Sequence, residues 1–159
     1  MELGPRTPIG VVLHEVAARL ARAFDQTLTA HGAGRPVWFV LLALQSRRSA
    51  TQRELAAAIG IREATLSHHL SALEARGIVV RHRDQADRRV QRIALTPDGD
   101  ALFTELRRAA TAFDARLRST LGEGDVDALR TLLLRLLDAV PTQEAPPDAT
   151  GHPPLRRTH

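Results

Sequence analysis

Residues 51–96 read TQRELAAAIG IREATLSHHL SALEARGIVV RHRDQADRRV QRIALT, and this stretch decides the fold. Thr51-Gln52-Arg53-Glu54 spells a capping box. The threonine hydroxyl is placed to accept from the backbone N–H of Glu54, and the glutamate carboxylate to reach back to the N–H of residue 51. A short helix is therefore predicted from Gln52 to near Gly60. A second begins around Arg62, sets Leu66, Leu70 and Leu73 on one face and stops at Gly77. Two helices joined by a tight glycine turn make a helix-turn-helix. Ala56 and Gly60 are expected to be small so that the two helices cross closely. Beyond Gly77, Ile78-Val79-Val80 reads as a strand and 92–95 alternates polar and apolar as a second, with the charged segment 84–89 as the hairpin tip between them.

Working upstream, Ile9, Leu13, Val16, Leu20, Phe24 and Leu28 recur at steps of three or four, which predicts one long amphipathic helix over 9–32. Gly32, Gly34 and Pro36 end it and start another. The next segment, 37–44, is apolar on every side and is expected to be a central buried helix. Downstream, Thr96-Pro97-Asp98 supplies an N-cap, a first-turn proline and a first-turn acid. The helix that follows turns Leu102, Leu106, Ala109, Phe113 and Leu117 inward. Gly122 and Gly124 break it, and Asp125 opens a last helix with Leu129, Leu132, Leu133, Leu136, Leu137 and Val140. That is more leucine than one side of a terminal helix needs. From 141 to 159, five prolines stand among small and polar residues without apolar periodicity, so a disordered tail is expected. The fold class is thus mainly α with a small β-hairpin wing, about six helices in one domain over 1–140.

Charge is unevenly spread. All 22 basic residues are arginine. Ten of them lie between Arg47 and Arg92 against five acids, a net of +5, whereas the remainder carries 12 against 13. The whole basic excess therefore sits in one third of the chain, as an electrostatic footprint for phosphate requires. Aromatic residues make up 3% and tyrosine is absent, which disfavours stacking on single strands and leaves duplex DNA as the better partner. The chain has no cysteine, which excludes disulfides, thiolate metal sites and thiol redox sensing. The longest apolar run is too short to span a bilayer and the N-terminal segment lacks the apolar core of a signal peptide, so a cytoplasmic location is expected. No phosphate loop, no G-x-S-x-G and no H-E-x-x-H occurs, and an enzyme is not expected.

Two motifs resemble the MarR family of bacterial regulators, over roughly residues 9 to 140. One is Glu54-Leu55-Ala56, Gly60-Ile61, Thr65-Leu66-Ser67, Leu70 and Leu73-Glu74-Ala75-Arg76-Gly77. The other is Asp87-Arg88-Arg89, Ile93, Leu95-Thr96 and Gly99, which is similar to that family's wing. The resemblance implies a winged helix-turn-helix that binds double-stranded DNA, with a DNA-binding lobe over about 47–96. It also implies a homodimer built on the N- and C-terminal helices, about 9–32 and 97–140. An α-helix fits the major groove with its N-terminal turns toward base edges, so the second helix offers Arg62, Thr65, Ser67, His68 and His69. Arg62 is the candidate guanine reader. It also stands where the family has a cap, and it cannot accept a backbone hydrogen bond. His69 replaces an apolar residue and is equally readable as a packed core histidine. Adjacent helical residues point about 100° apart, so His68 and His69 cannot share a metal ion, and neither metal nor cofactor is expected.

In the wing, the resemblance assigns Arg89 to the minor groove, Arg88 to phosphate and Asp87 to orienting Arg89 or a neighbouring arginine. It further implies release of DNA by a small-molecule effector. Trp38, His14 and Arg35 are candidates to line its site, although Trp38 reads first as core. The competing reading is a winged-helix module that binds protein instead of DNA.

Overall fold

A computed structural model describes residues 4–47 and 49–140. Among them, six helices and a hairpin follow in the order α1 (Ile9–Thr29), α2 (Arg35–Arg47), α3 (Gln52–Ile59), α4 (Glu63–Ala75), β1 (Val79–Arg83), β2 (Gln91–Leu95), α5 (Pro97–Thr120) and α6 (Glu123–Asp138). This is a winged helix-turn-helix, mainly α. The chain divides into two compact units between Leu117 and Arg118. The expected tail over 141–159 lies outside the described residues.

In the first unit, α3 starts on the capping box. Thr51 Oγ1 accepts from the Glu54 amide at 3.2 Å, and the Thr51 amide donates to Glu54 Oε2 at 2.7 Å. Gly60 ends α3 at φ +75°, in left-handed space that a side chain resists. Its role differs from the one expected. A Cβ built on Gly60 meets nothing within 4 Å, so backbone conformation, not close helix crossing, calls for glycine there. Ala56 is buried, as expected for a small residue in the core. Leu66, Leu70 and Leu73 lock α4 into the core.

α2 departs from expectation. It buries Trp38, Val40, Leu41 and Leu44, but Phe39 and Leu42 are each 41% exposed. One side of α2 faces aromatic partners: Trp38 stacks on Phe103 of α5 with ring centroids 5.6 Å apart and meets Phe24 of α1 edge-on at 6.5 Å. The side that carries positions 39 and 42 is only partly covered, with Ala58 and Ile59 at the end of α3 beside it. The start of α2 is capped from a distance, since the Arg35 amide donates to Asp25 Oδ1 at 2.7 Å.

β1 and β2 pair antiparallel with Val79 opposite Leu95 and Arg83 opposite Gln91. Ala50 adds an isolated antiparallel bridge to β2 by exchanging two backbone hydrogen bonds with Ile93, at 3.0 and 2.8 Å. Thr96 knots the base of the wing. Its hydroxyl donates to the Gly77 carbonyl at 2.6 Å and accepts from the Gly99 amide at 3.1 Å. Gly99 is there for space, because a Cβ would stand 2.2 Å from the Ile78 carbonyl oxygen.

α1 leaves Ile9, Val11, Val16 and Leu20 exposed, Ile9 at 63%. In the second unit, α6 exposes Leu129, Leu132, Leu133, Leu134, Leu136 and Leu137, the last at 69%. Water around that many large apolar side chains is unfavourable by roughly 25 cal/mol per Å². Among the described residues no helix is long and apolar enough to cross a membrane.

Candidate nucleic-acid interface

α4 is placed by both of its ends. Gln52 Nε2 donates to the Glu63 carbonyl at 3.2 Å, which ties its first turn to the first turn of α3. At its other end, Arg76 Nη2 donates to the Gly32 carbonyl at 3.3 Å, and Glu74 Oε2 lies 3.2 Å from Arg81 Nε of β1. With Leu66, Leu70 and Leu73 buried, the opposite face is turned to solvent. Arg62, Thr65 and His68 are exposed there, while Ser67 and His69 are half-buried. His69 therefore lies at the edge of the core, its ring 6.2 Å from that of His68. Arg62 is the N-cap residue of α4 and makes no side-chain cap hydrogen bond. Its guanidinium is left unpaired among the described residues, and Glu63 supplies the negative charge that the helix N-terminus favours.

The wing tip is shaped by two aspartates. Asp84 Oδ1 accepts from the amides of Ala86 at 2.8 Å and Asp87 at 3.2 Å, and Asp87 Oδ1 accepts from the Arg89 amide at 2.9 Å. Each is a short side-chain-to-backbone turn of the kind aspartate favours. Asp87 thus holds the backbone of Arg89 and, among the described residues, forms no ion pair with a guanidinium. Arg88 and Arg89 stand exposed on this tip, and neither is ion-paired among the described residues.

One ion pair of the lobe involves two residues whose role the sequence reading missed. Arg92 Nε donates to Asp84 Oδ2, and Arg92 Nη1 lies 4.0 Å from Glu54 Oε2. The Arg92 guanidinium and the two amides hold the Asp84 carboxyl down at about 2. Glu54 is also lowered, first by its hydrogen bonds with Thr51 and then by the charge of Arg92. One arginine on β2 therefore clasps the wing tip on one side and the capping box of α3 on the other. The available signal was the aspartate opening the polar tip, with an arginine eight residues on across the hairpin.

Of the residues considered for an effector site, Trp38 lies in the core and His14 is exposed.

Residues 31–90 match the sequence model of the MarR family. Among solved structures, the chain is similar to the transcriptional repressor CouR bound to a 23-mer DNA duplex, with 29% identity and a TM-score of 0.76 over 86% of this chain and 99% of that one. It is also similar to CouR from Rhodococcus jostii bound to p-coumaroyl-CoA, at 26% identity and a TM-score of 0.71 over 91% of this chain and 100% of the other. A third likeness is to Bordetella bronchiseptica BpsR, whose regulation of DNA binding by 6-hydroxynicotinic acid has been described. It has 26% identity and a TM-score of 0.73, over 88% of this chain and 100% of BpsR.

Proposed function

We propose that this chain, which belongs to the MarR family, is a transcriptional regulator that binds double-stranded DNA as a homodimer, in the cytoplasm, and represses transcription from a pseudopalindromic operator. The observation that carries this reading is the pairing of an exposed α4 face with an exposed wing tip in the one region with excess positive charge. Arg62, Thr65, Ser67 and His68 are offered to a major groove, with His69 at the margin, and Arg88 and Arg89 to phosphate and the adjacent minor groove. The lobe over 47–96 carries the contacts. The apolar surfaces of 9–32 and 97–140 carry the pairing, because one recognition helix reads too few base pairs to be specific and two-fold symmetry doubles the site.

Small-molecule control is part of the proposal. CouR and BpsR are relatives described with p-coumaroyl-CoA and with 6-hydroxynicotinic acid. A ligand releases DNA only if it binds the DNA-incompetent arrangement more tightly.

Selection of bound duplexes from a random pool tests the reading. Wild type is expected to enrich an inverted repeat with half-sites about 10 base pairs apart, and affinity for it should fall steeply with salt as counterions are released. Arg89→Ala should keep the core site and lose the flanking A·T preference. A pool with no enriched site overturns the proposal.

A further inference from the structure

The last paired rung of the wing is Arg83 with Gln91, so residues 84–90 stand beyond the ladder and need other ties. At the base, backbone sets the position of β2, since Ile93 exchanges two hydrogen bonds with Ala50 just before the cap of α3. At the tip, side chains set it. Asp84 gives one carboxylate oxygen to the amides of Ala86 and Asp87 and the other to Arg92 Nε, and Asp87 in turn accepts from the Arg89 amide. The same guanidinium lies 4.0 Å from Glu54, whose carboxylate closes the capping box of α3. A run of polar contacts thus leads from the start of α3 through Arg92, Asp84 and Asp87 to the backbone of Arg89.

We infer that Arg92 is a positioning residue for DNA binding: it fixes the direction in which the wing tip presents Arg88 and Arg89, and makes no DNA contact of its own. The inference rests on the DNA-binding reading above. Arg92 differs from a phosphate contact in two ways. Its side chain is 33% exposed, half-buried where Arg88 and Arg89 are open to solvent. Its one positive charge faces the negative charges of both Asp84 and Glu54, so the cluster holds no net attraction for phosphate. A tip held in place binds more tightly because the order required in the complex already exists in the free protein. Lysine cannot replace Arg92 here. Two nitrogens of one planar guanidinium reach toward two carboxylates at once, whereas an ammonium is a single point of charge.

Affinity for the duplex that wild type enriches, measured by fluorescence anisotropy, tests the role. Arg92→Met and Asp84→Asn should each weaken binding about three- to tenfold, the scale of coupling between contacting groups. The sign for Asp84→Asn is diagnostic. That substitution keeps an acceptor for the two amides, removes a negative charge and frees Arg92, so an Arg92 that contacts phosphate would give tighter binding. In a background of Arg88→Ala with Arg89→Ala, Arg92→Met should cost nothing further, because the residues it positions are gone. In the free protein, Arg92→Met should lower the NMR order parameters of the Arg88 and Arg89 amides to below about 0.6. Those of α4 should stay as in wild type, which shows that the lobe is folded. Unchanged or tighter binding by Asp84→Asn overturns the inference, as does an additive loss in the combined variant or an unchanged tip. A wild type that enriches no duplex is a failure of the DNA-binding reading, whereas an enriched duplex with additive losses is a failure of the Arg92 role alone.

Discussion

Arg92 on β2 and Asp84 at the wing tip form a charge-assisted pair across the hairpin, and the same guanidinium reaches toward Glu54 at the start of α3. The wing is thereby referenced to the helix that precedes the recognition helix. Asp84 is held at about 2, below its ordinary 3.8. A depressed carboxylate contributes stability that is fully present above its unfolded pKa and is lost as pH falls through the folded value. The clasp's contribution to stability should therefore be full at pH 5 and above and be lost between about pH 4 and 2, the pair itself opening around the folded value. Carbon-13 NMR of the Asp84 carboxyl should show a midpoint near 2, moving up toward 3.8 in Arg92→Leu. A wild-type midpoint near 4 would contradict the clasp.

Gly99 and Gly60 should respond differently to alanine, because one lacks space and the other needs an unusual backbone angle. Gly99→Ala sets a Cβ against a backbone carbonyl that cannot swing aside and should cost about 3 kcal/mol in urea denaturation. Gly60→Ala meets open space and pays only for its left-handed φ, about 1 kcal/mol. Reversal of that order would refute the assignment.

Thr51→Ala removes the acceptor of the α3 cap and should cost about 1 kcal/mol. It removes the hydroxyl's contribution while the residue-51 amide still donates to Glu54, so the Glu54 carboxyl should remain lowered but titrate a little closer to its ordinary 4.5 than in wild type. Thr51→Ser, which keeps the hydroxyl, should restore both.

The α6 surface makes a prediction about assembly. Truncation after residue 124 should give a monomer or an insoluble chain. In the full chain, Leu133→Asp with Leu137→Asp should lower the mass seen by analytical ultracentrifugation while the helix content by circular dichroism is kept. A stable dimer from either protein would show that the pairing surface lies elsewhere.

Much of the fold was legible because its signals are local. The capping box at Thr51, the heptad-like spacing of Leu66, Leu70 and Leu73 and the Thr96-Pro97-Asp98 start of α5 each act within one or two turns of helix, where neighbours in sequence are neighbours in space. That Arg62 and Arg89 are exposed was legible too, since one stands at a helix start and the other on a polar hairpin tip. Asp84 and Arg92 were not, because they meet only after the hairpin closes.

The sequence by itself determined the element order, the helix-turn-helix and wing, and the concentration of positive charge in the lobe, since periodicity, caps and composition need no partner. Only the tertiary structure decided which faces are left open. It showed that α2 is covered on the Trp38 side and only partly covered at Phe39 and Leu42. It also showed that Asp87 holds a backbone amide while Asp84 takes the guanidinium. Burial and ion pairing depend on which element packs against which, and that is a relation between residues far apart in the chain.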